Sequence, residues 1–421
     1  MQKFLGTVVG KSVKAGLAYR RGGGQALPGL VVEKLFPNYV GAMLSNLPEG
    51  VVIITGTNGK TTTTKMVVHL LKANGKKVLT NSTGSNLTRG IASSLSQHAK
   101  VTGKLPYDMA VLEVDEATAR RLVKQVKPKW TLALNASRDQ LDRYGEVDTV
   151  VSYIKAAIAE SEGVITNAGD PKLVAAAGNL KKQVTYFGFA EKLRKYFPSD
   201  YDLAAVNGSV KTREKSAKAY VELVGFNGQE AAYQINGRRY KADLKLSGQH
   251  NFLNGAAALA LACRMLPDAD PKNLVEELAR VPLAFGRGEK YKFKNGAIVE
   301  LVLVKNPASF TQALASYGSS KTNLTIAIND NIADGRDVSW LWDVNFEPLA
   351  SQKVAMTSGS RAADMALRLR YDDINVGKIE PDLIKALGSL NIQSGEHVIL
   401  ATYTAMLRLY AKLSKSAEKI E

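Results

Sequence analysis

The stretch Val51-Val52-Ile53-Ile54-Thr55-Gly56-Thr57-Asn58-Gly59-Lys60-Thr61-Thr62 decides how the chain is to be read. Its first five residues are all β-branched, which suits a buried strand, and Thr61 to Ala73 has helical patterning. Two glycines bracket the turn between them. A strand that runs through a glycine turn into a helix presents backbone N–H groups and a helix N-terminus to phosphate oxygens. Lys60 then stands as a point charge for the β- and γ-phosphates of a nucleotide, and Thr61 offers a hydroxyl to Mg2+. A plain glycine turn with an incidental lysine is the competing reading, and the strand-to-helix context argues against it.

Outward from this turn, β-branched runs alternate with helical patterns: Lys77 to Thr80, Asp108 to Val114 followed by Glu116 to Val126, Thr131 to Leu134, and Gly163 to Thr166. That alternation predicts a parallel sheet with crossover helices. From about Phe187 to Lys245 short alternating strands are broken by Asn207-Gly208, Asn227-Gly228 and Asn236-Gly237, which predicts a β-rich insertion. The alanine-rich helix Asn251 to Leu266 closes this domain, and the turn-rich Pro282 to Gly288 reads as a linker with a boundary near Phe285. Beyond it Ala297 to Val304, Leu324 to Ile328, Lys353 to Thr357 and His397 to Ala401 read as strands, with Arg361 to Arg370 helical. The expected fold class is α/β: a basic N-terminal segment (1–48), a central P-loop ATPase domain (49–285) and a smaller C-terminal α/β domain (286–421).

Composition bounds the function. A chain of 421 residues, 45% hydrophobic and 23% charged, exceeds what one core usually supports and has ordinary globular usage. The 56 Lys and Arg against 39 Asp and Glu favour anionic partners without choosing among them. Aromatic-rich RNA-binding and cysteine–histidine finger signatures are absent, so nucleic acid is not an expected partner. Cys263 is the only cysteine, which excludes an intrachain disulfide and a cysteine-built zinc site and fits a reducing, cytoplasmic setting. The longest apolar stretch, Gly255 to Ala262, is far short of the roughly 20 residues of a spanning helix. The basic start, with Lys3, Lys11, Lys14, Arg20 and Arg21 among apolar residues, fits either peripheral contact with an anionic membrane surface or a solvated helix packed on the body.

Further candidates follow the same logic. Glu113 ends a predicted strand, where an open α/β sheet gathers its ligands, and with Thr61 it could hold Mg2+ through hard oxygens; its alternative is a surface acid. Asp115 and Glu116 are weaker candidates, Glu116 being also a good first-turn residue of a helix. By themselves His250 and Asn251 read as a loop residue and a helix cap, and Asp337 as part of a turn around Asp334-Gly335.

Gly56-Thr57-Asn58-Gly59-Lys60-Thr61 is tighter than the common P-loop, and it resembles the loop of the Mur ligase superfamily, Gly-Thr-x-Gly-Lys-Thr or Ser. Three further features stand downstream in the family's order. Asn135, Asp139 and Asp142 lie in Asn-Ala-Ser-Arg-Asp-Gln-Leu-Asp; Asn167 and Asp170 lie in Thr-Asn-Ala-Gly-Asp-Pro; Gly248, His250, Asn251 and Asn254 lie in Gly-Gln-His-Asn-Phe-Leu-Asn. Lys305-Asn306-Pro307, Asp330 to Trp340 and Gly359-Ser360-Arg361-Ala362 are similar to the C-terminal domain of the MurT family, the synthetase subunits that amidate the D-glutamate of lipid II with a GatD glutaminase. Gln140 also fits that family. The resemblance runs from about Leu27 to Tyr403.

The resemblance implies ATP and Mg2+ as cofactors, with Gly56, Thr57, Asn58, Gly59, Lys60, Thr61, Thr62, Asn135, Asp139, His250, Asn251, Asn254 and Arg287 around the nucleotide. It implies catalytic roles for Lys60, Glu113 and Asp337, the last towards the cysteine and histidine of a GatD-like class I glutaminase subunit. The implied reaction is amidation of the α-carboxyl of D-glutamate in the lipid II stem peptide, through an acyl phosphate and ammonia. One departure is that MurT proteins carry a four-cysteine zinc ribbon in the central domain, whereas this chain has no cysteine there. Two other readings stand beside it: a Mur-type amino-acid ligase of the folylpolyglutamate synthase or cyanophycin synthetase kind, and a nucleotide-binding subunit without turnover.

Overall fold

The computed structural model describes residues 2–19, 27–81, 87–137, 147–197, 217–245, 248–282, 287–317, 323–350, 353–392 and 395–420. Two compact units divide the chain, the first taking in residues up to 137, 148–245 and 251–281, the second built mainly on 282–421.

In the first unit the buried β-branched runs become strands of one nine-stranded sheet. They are β1 (Val51–Thr55), β2 (Val78–Thr80), β3 (Met109–Glu113), β4 (Trp130–Ala133), β5 (Gly163–Asn167), β6 (Gln183–Phe189), β7 (Val221–Asn227), β8 (Glu230–Ile235) and β9 (Arg238–Asp243), in the order β2-β3-β1-β4-β5-β6-β7-β8-β9. Strands β2 through β7 pair in parallel, and β7, β8 and β9 finish the sheet as an antiparallel meander. The β-rich stretch expected at about 187–245 therefore extends the main sheet. Its last turn uses Asn236 and Gly237, both at positive φ, as a two-residue hairpin requires. Residues 207 and 208, expected as another turn, lie outside the described residues.

Helices cover the sheet. α1 (Gln2–Tyr19), α2 (Leu27–Leu35) and α3 (Tyr39–Leu44) form the N-terminal layer of the first unit, so Lys3, Lys11 and Lys14 lie on a packed helix, while Arg20 and Arg21 lie outside the described residues. α4 (Lys60–Ala73) follows β1, α5 (Thr88–His98) follows β2 and α6 (Glu116–Leu122) follows β3; then come α7 (Val147–Glu160), α8 (Pro171–Gly178), α9 (Gln249–Met265) and α10 (Pro271–Ala279). α1 sits close because it presents glycines: a Cβ on Gly6 would lie 2.4 Å from the Tyr39 ring, and one on Gly10 would lie 2.5 Å from Ser96. Val32, Tyr39, Met43, Leu44, Ile53, Ile91, Leu95 and Leu112 join in one core.

The second unit has a seven-stranded sheet of its own: β10 (Arg287–Lys292), β11 (Ile298–Leu303), β12 (Asn323–Ala327), β13 (Val354–Ser358), β14 (Val376–Glu380), β15 (Glu396–Ala401) and β16 (Glu418–Lys419), ordered β14-β13-β12-β15-β11-β10-β16. Its helices are α11 (Pro307–Tyr317), α12 (Ala362–Tyr371), α13 (Leu383–Ile392) and α14 (Tyr403–Ser416). Alternate residues feed separate cores, Val398 and Leu400 one, Ile399 and Ala401 the other. A strand buried on both faces reads as a continuous apolar run, which is why β15 was visible in the sequence. Arg287, expected in a linker, is instead the first residue of β10, which pairs antiparallel with β11. Among the described residues no helix is long and apolar enough to cross a membrane.

Candidate active site

Strand order places the site. β1 lies between β3 and β4, and the chain leaves β1 for β2 on one side and reaches β4 on the other, so the carboxyl end of β1 is a switch point. The phosphate-loop sequence leaves β1 there. Gly56 and Gly59 have φ of 127° and 86°, a region that costs glycine little. Both are also tightly approached: a Cβ on Gly56 would lie 2.9 Å from Asn135 O, and one on Gly59 2.4 Å from Asn254 Oδ1. Gly59 caps α4 and leaves the first N–H groups of that helix without helical acceptors.

Asn135, just past β4, clamps this loop. Asn58 N donates to its Oδ1 at 2.8 Å, its Nδ2 donates to Asn58 O at 3.0 Å, and Thr57 N donates to its carbonyl at 3.1 Å. Thr57 Oγ1 donates to Ser137 O and accepts from Ser137 N, each at 3.0 Å. Asp170 caps α8 and accepts from Ala136 N at 2.9 Å, tying the next strand's loop to the same place. Asn167 Oδ1 accepts from Gly169 N at 2.8 Å. These residues hold loop geometry, a role that strand order creates and local sequence does not announce.

Thr61 Oγ1 donates to Glu113 Oε1 at 2.9 Å, and Glu113 is itself held where Asn81 Nδ2 donates to Glu113 O at 2.8 Å and Glu113 N donates to Asn81 Oδ1 at 2.9 Å. Sequence reading missed Asn81, whose signal is only a polar residue one past β2. Lys60 Nζ donates to Gly56 O and, at 3.3 Å, to Thr57 O, and lies 3.6 Å from Glu116 Oε1. Asp115 caps α6, accepting from Thr118 N at 2.7 Å and Thr118 Oγ1 at 3.0 Å.

Asn251 and Asn254 are buried in α9, Asn254 Nδ2 donating to Asn251 Oδ1 at 3.2 Å. Asn254 also abuts Gly59, so α9 and the phosphate loop fit each other directly. His250 is half-buried in the first turn of α9, its ring against Gly248. The Thr62 hydroxyl is buried, so this residue has its backbone N–H to offer. Asp139 and Asp142 lie outside the described residues, as does the side chain of Arg287.

Asp337 lies in the second unit, half-buried, and its Oδ1 accepts from Ser339 N at 2.8 Å ahead of the 3-10 turn Ser339–Asp343. The Ser339 hydroxyl and backbone N–H hold its carboxyl below the usual range. Neighbouring Asp334 is buried and accepts from Thr404 N at 2.7 Å, stitching the turn to the start of α14. Asp330 accepts from Ser360 Oγ at 2.8 Å and pairs with Arg361 at 2.9 Å.

The paired Thr61 hydroxyl and Glu113 carboxylate are hard oxygen donors beside a glycine cradle, a set that fits Mg2+. Among the described residues no group of three or more His, Cys, Asp or Glu is gathered for a metal. Mg2+ suits such a place because it is commonly held by one or two protein oxygens together with phosphates and water.

Residues 54–262 match the Mur ligase middle domain and residues 303–406 the MurT ligase C-terminal domain. The MurT subunit of lipid II isoglutaminyl synthase (glutamine-hydrolysing) from Streptococcus pneumoniae is 32% identical, over 97% of this chain and 96% of that one. The chain belongs to the MurT family of Mur ligases. The MurT subunit from Staphylococcus aureus is 30% identical over 94% of each chain. MurF ligase from Thermotoga maritima in complex with ADP shares the fold with a TM-score of 0.67 at 17% identity, covering 91% of this chain and 84% of that one. The phosphate-loop sequence leaves β1, an inner strand of the first unit's sheet, and the residues that match the MurT ligase C-terminal domain include Asp337.

Proposed function

We propose that this chain is the synthetase subunit of a lipid II isoglutaminyl synthase, an ATP-dependent carbon–nitrogen ligase of peptidoglycan synthesis. The observation that carries it is the gathering of Lys60, Thr61 and Glu113 at one sheet edge, in a chain similar to MurT subunits along nearly its whole length. The substrate is the α-carboxyl of D-glutamate in the lipid II stem peptide, which becomes D-isoglutamine. Its carboxylate attacks the γ-phosphate of ATP, ADP leaves, and ammonia displaces phosphate from the acyl phosphate. Catalysis of such a transfer is mainly positioning and charge neutralisation. Lys60 and the α4 N-terminus supply positive charge to the phosphates, Asn135 and Asn254 hold the loop in shape, and Thr61 and Glu113 would hold Mg2+. Mg2+ would add neutralisation of phosphate charge. His250, Asn251 and Arg287 are assigned to the nucleotide through the family resemblance.

Ammonia comes from a GatD-like class I glutaminase subunit, and the family resemblance assigns Asp337 to the catalytic cysteine and histidine of that subunit in the heterodimer. The setting is the cytoplasm, at the inner face of the membrane where a lipid-linked precursor is met. α1 supports a peripheral contact, since it leaves Phe4 and Leu5 exposed near Lys3. Purified chain with lipid II, ATP, Mg2+ and ammonium is expected to yield amidated lipid II and ADP in equal amounts. Addition of an amino acid in place of ammonia, or ADP release that lipid II does not stimulate, would overturn the reading.

A further inference from the structure

Glu116, the first residue of α6, is the acid beyond β3 that the proposed chemistry leaves without a task. Of the three carboxylates there, Glu113 accepts from Thr61 and Asp115 from Thr118. Glu116 is 4% exposed, and its Oε1 has no hydrogen-bond donor. A carboxylate so buried is costly unless a cation stands close. The cation is Lys60, with Nζ at 3.6 Å and a side chain itself only 11% exposed. The ammonium is thus shared between carbonyls of its own loop, Gly56 O and Thr57 O, and the Glu116 carboxylate.

We propose that Glu116 is the positioning residue of Lys60: it holds the ammonium folded back on the phosphate loop in the nucleotide-free enzyme, so that nucleotide phosphates gain Lys60 only by displacing Glu116. The proposal rests on the reading of Gly56–Thr61 as a phosphate loop. It makes Lys60 a two-position side chain, and it gives Glu116 a role separate from metal binding, because its effect on affinity runs through Lys60. Competition between two anionic partners for one cation lowers apparent nucleotide affinity and keeps the loop's shape while it is empty.

The test is a double-mutant cycle on the full-length chain, read by titration of ADP in EDTA and again in Mg2+. Glu116→Gln is expected to tighten metal-free ADP binding about tenfold, or ~1.4 kcal/mol, and to give no gain in a Lys60→Met background. An equal gain with and without Lys60 would show only a relaxed local field and overturn the proposal. So would no gain, a loss, or an effect confined to the Mg2+ titration, which would make Glu116 a metal-holding residue. Glu116→Asp, which withdraws the charge by one methylene, is expected to give a smaller gain through the same cycle and serves if Glu116→Gln fails to fold. ADP affinity unchanged by Lys60→Met alone would take down the phosphate-loop reading along with the proposal, whereas a normal Lys60 effect with an additive Glu116 effect removes the proposal alone.

Discussion

In the proposed reaction Lys60 and Asp337 each carry one half on a single side chain. Lys60→Ala removes a preorganised charge at the phosphate loop, and loss of one such contact costs about 2.7–4 kcal/mol, roughly 100- to 1000-fold in rate. Amidation should fall by that factor with the thermal unfolding midpoint retained; near-normal ATP turnover would remove the loop from the mechanism. Asp337→Asn keeps an acceptor for Ser339 N while discharging the carboxylate. Glutamine-dependent amidation by the complex should drop much further than ammonium-dependent amidation, because a carboxylate can orient and stabilise an imidazolium. Equal loss with both donors would return Asp337 to folding or synthetase chemistry. Asp330 gives a pH signature: the Ser360 hydroxyl, then Arg361, lower its pKa. A depressed carboxylate stabilises the fold above its unfolded pKa and loses that contribution as pH falls through the folded value. Wild-type stability should therefore decline on acidification below the ordinary carboxylate range, and Asp330→Asn should be less stable at neutral pH with a flatter decline. Parallel melting curves across pH would refute this.

At the level of elements, two close approaches govern the first unit. Gly59 combines a positive φ with a position where a Cβ would lie only 2.4 Å from Asn254 Oδ1. Gly59→Ala should part α9 from the phosphate loop and weaken ADP binding at least tenfold, measurable by titration; unchanged affinity would mean the loop does not need this geometry. α1 is docked through Gly6 and Gly10 on Tyr39 and Ser96, with Tyr39 Oη and Thr7 Oγ1 2.8 Å apart. Overpacking of this kind costs typically 1–3 kcal/mol. Gly6→Ala should expose α1 to limited proteolysis at a rate several-fold above wild type, with the core of β1 to β5 intact. Both helices were legible in the sequence, but their close approaches were not, because a glycine contact leaves no periodic apolar signal.

For the molecule as a whole, the nitrogen source separates this chain from a self-sufficient amidotransferase. Glutamine hydrolysis of the usual thiol kind needs an activated thiolate, and burial pushes the Cys263 thiol up to about 11. Purified alone, the chain should use ammonium and leave glutamine unchanged, with glutamine supporting product only after a glutaminase subunit is added. Glutamine-dependent product from the single chain would contradict this.

The phosphate loop, its lysine and the alternation of strand and helix were legible because each is a local pattern: a buried parallel strand is a run of apolar residues, and a phosphate turn is short. Glu113 was legible as a strand end. β10 and the edge strand β14 were not, because Arg-Gly-Glu-Lys and Val-Gly-Lys-Ile-Glu are charged, glycine-containing sequences held by backbone pairing to their neighbours. Nor was the meeting of Lys60 with Glu116, of Asn58 with Asn135, or of Gly59 with Asn254. Those contacts arise from the pairing of Ile54 with Glu113 in β3 and Thr55 with Ala133 in β4, and from the seat of α9 against the loop. The sequence by itself determined which residues could hold a phosphate and a metal; only the parallel pairing of distant strands decided which of them share one site, since that proximity is a property of sheet order and not of spacing along the chain.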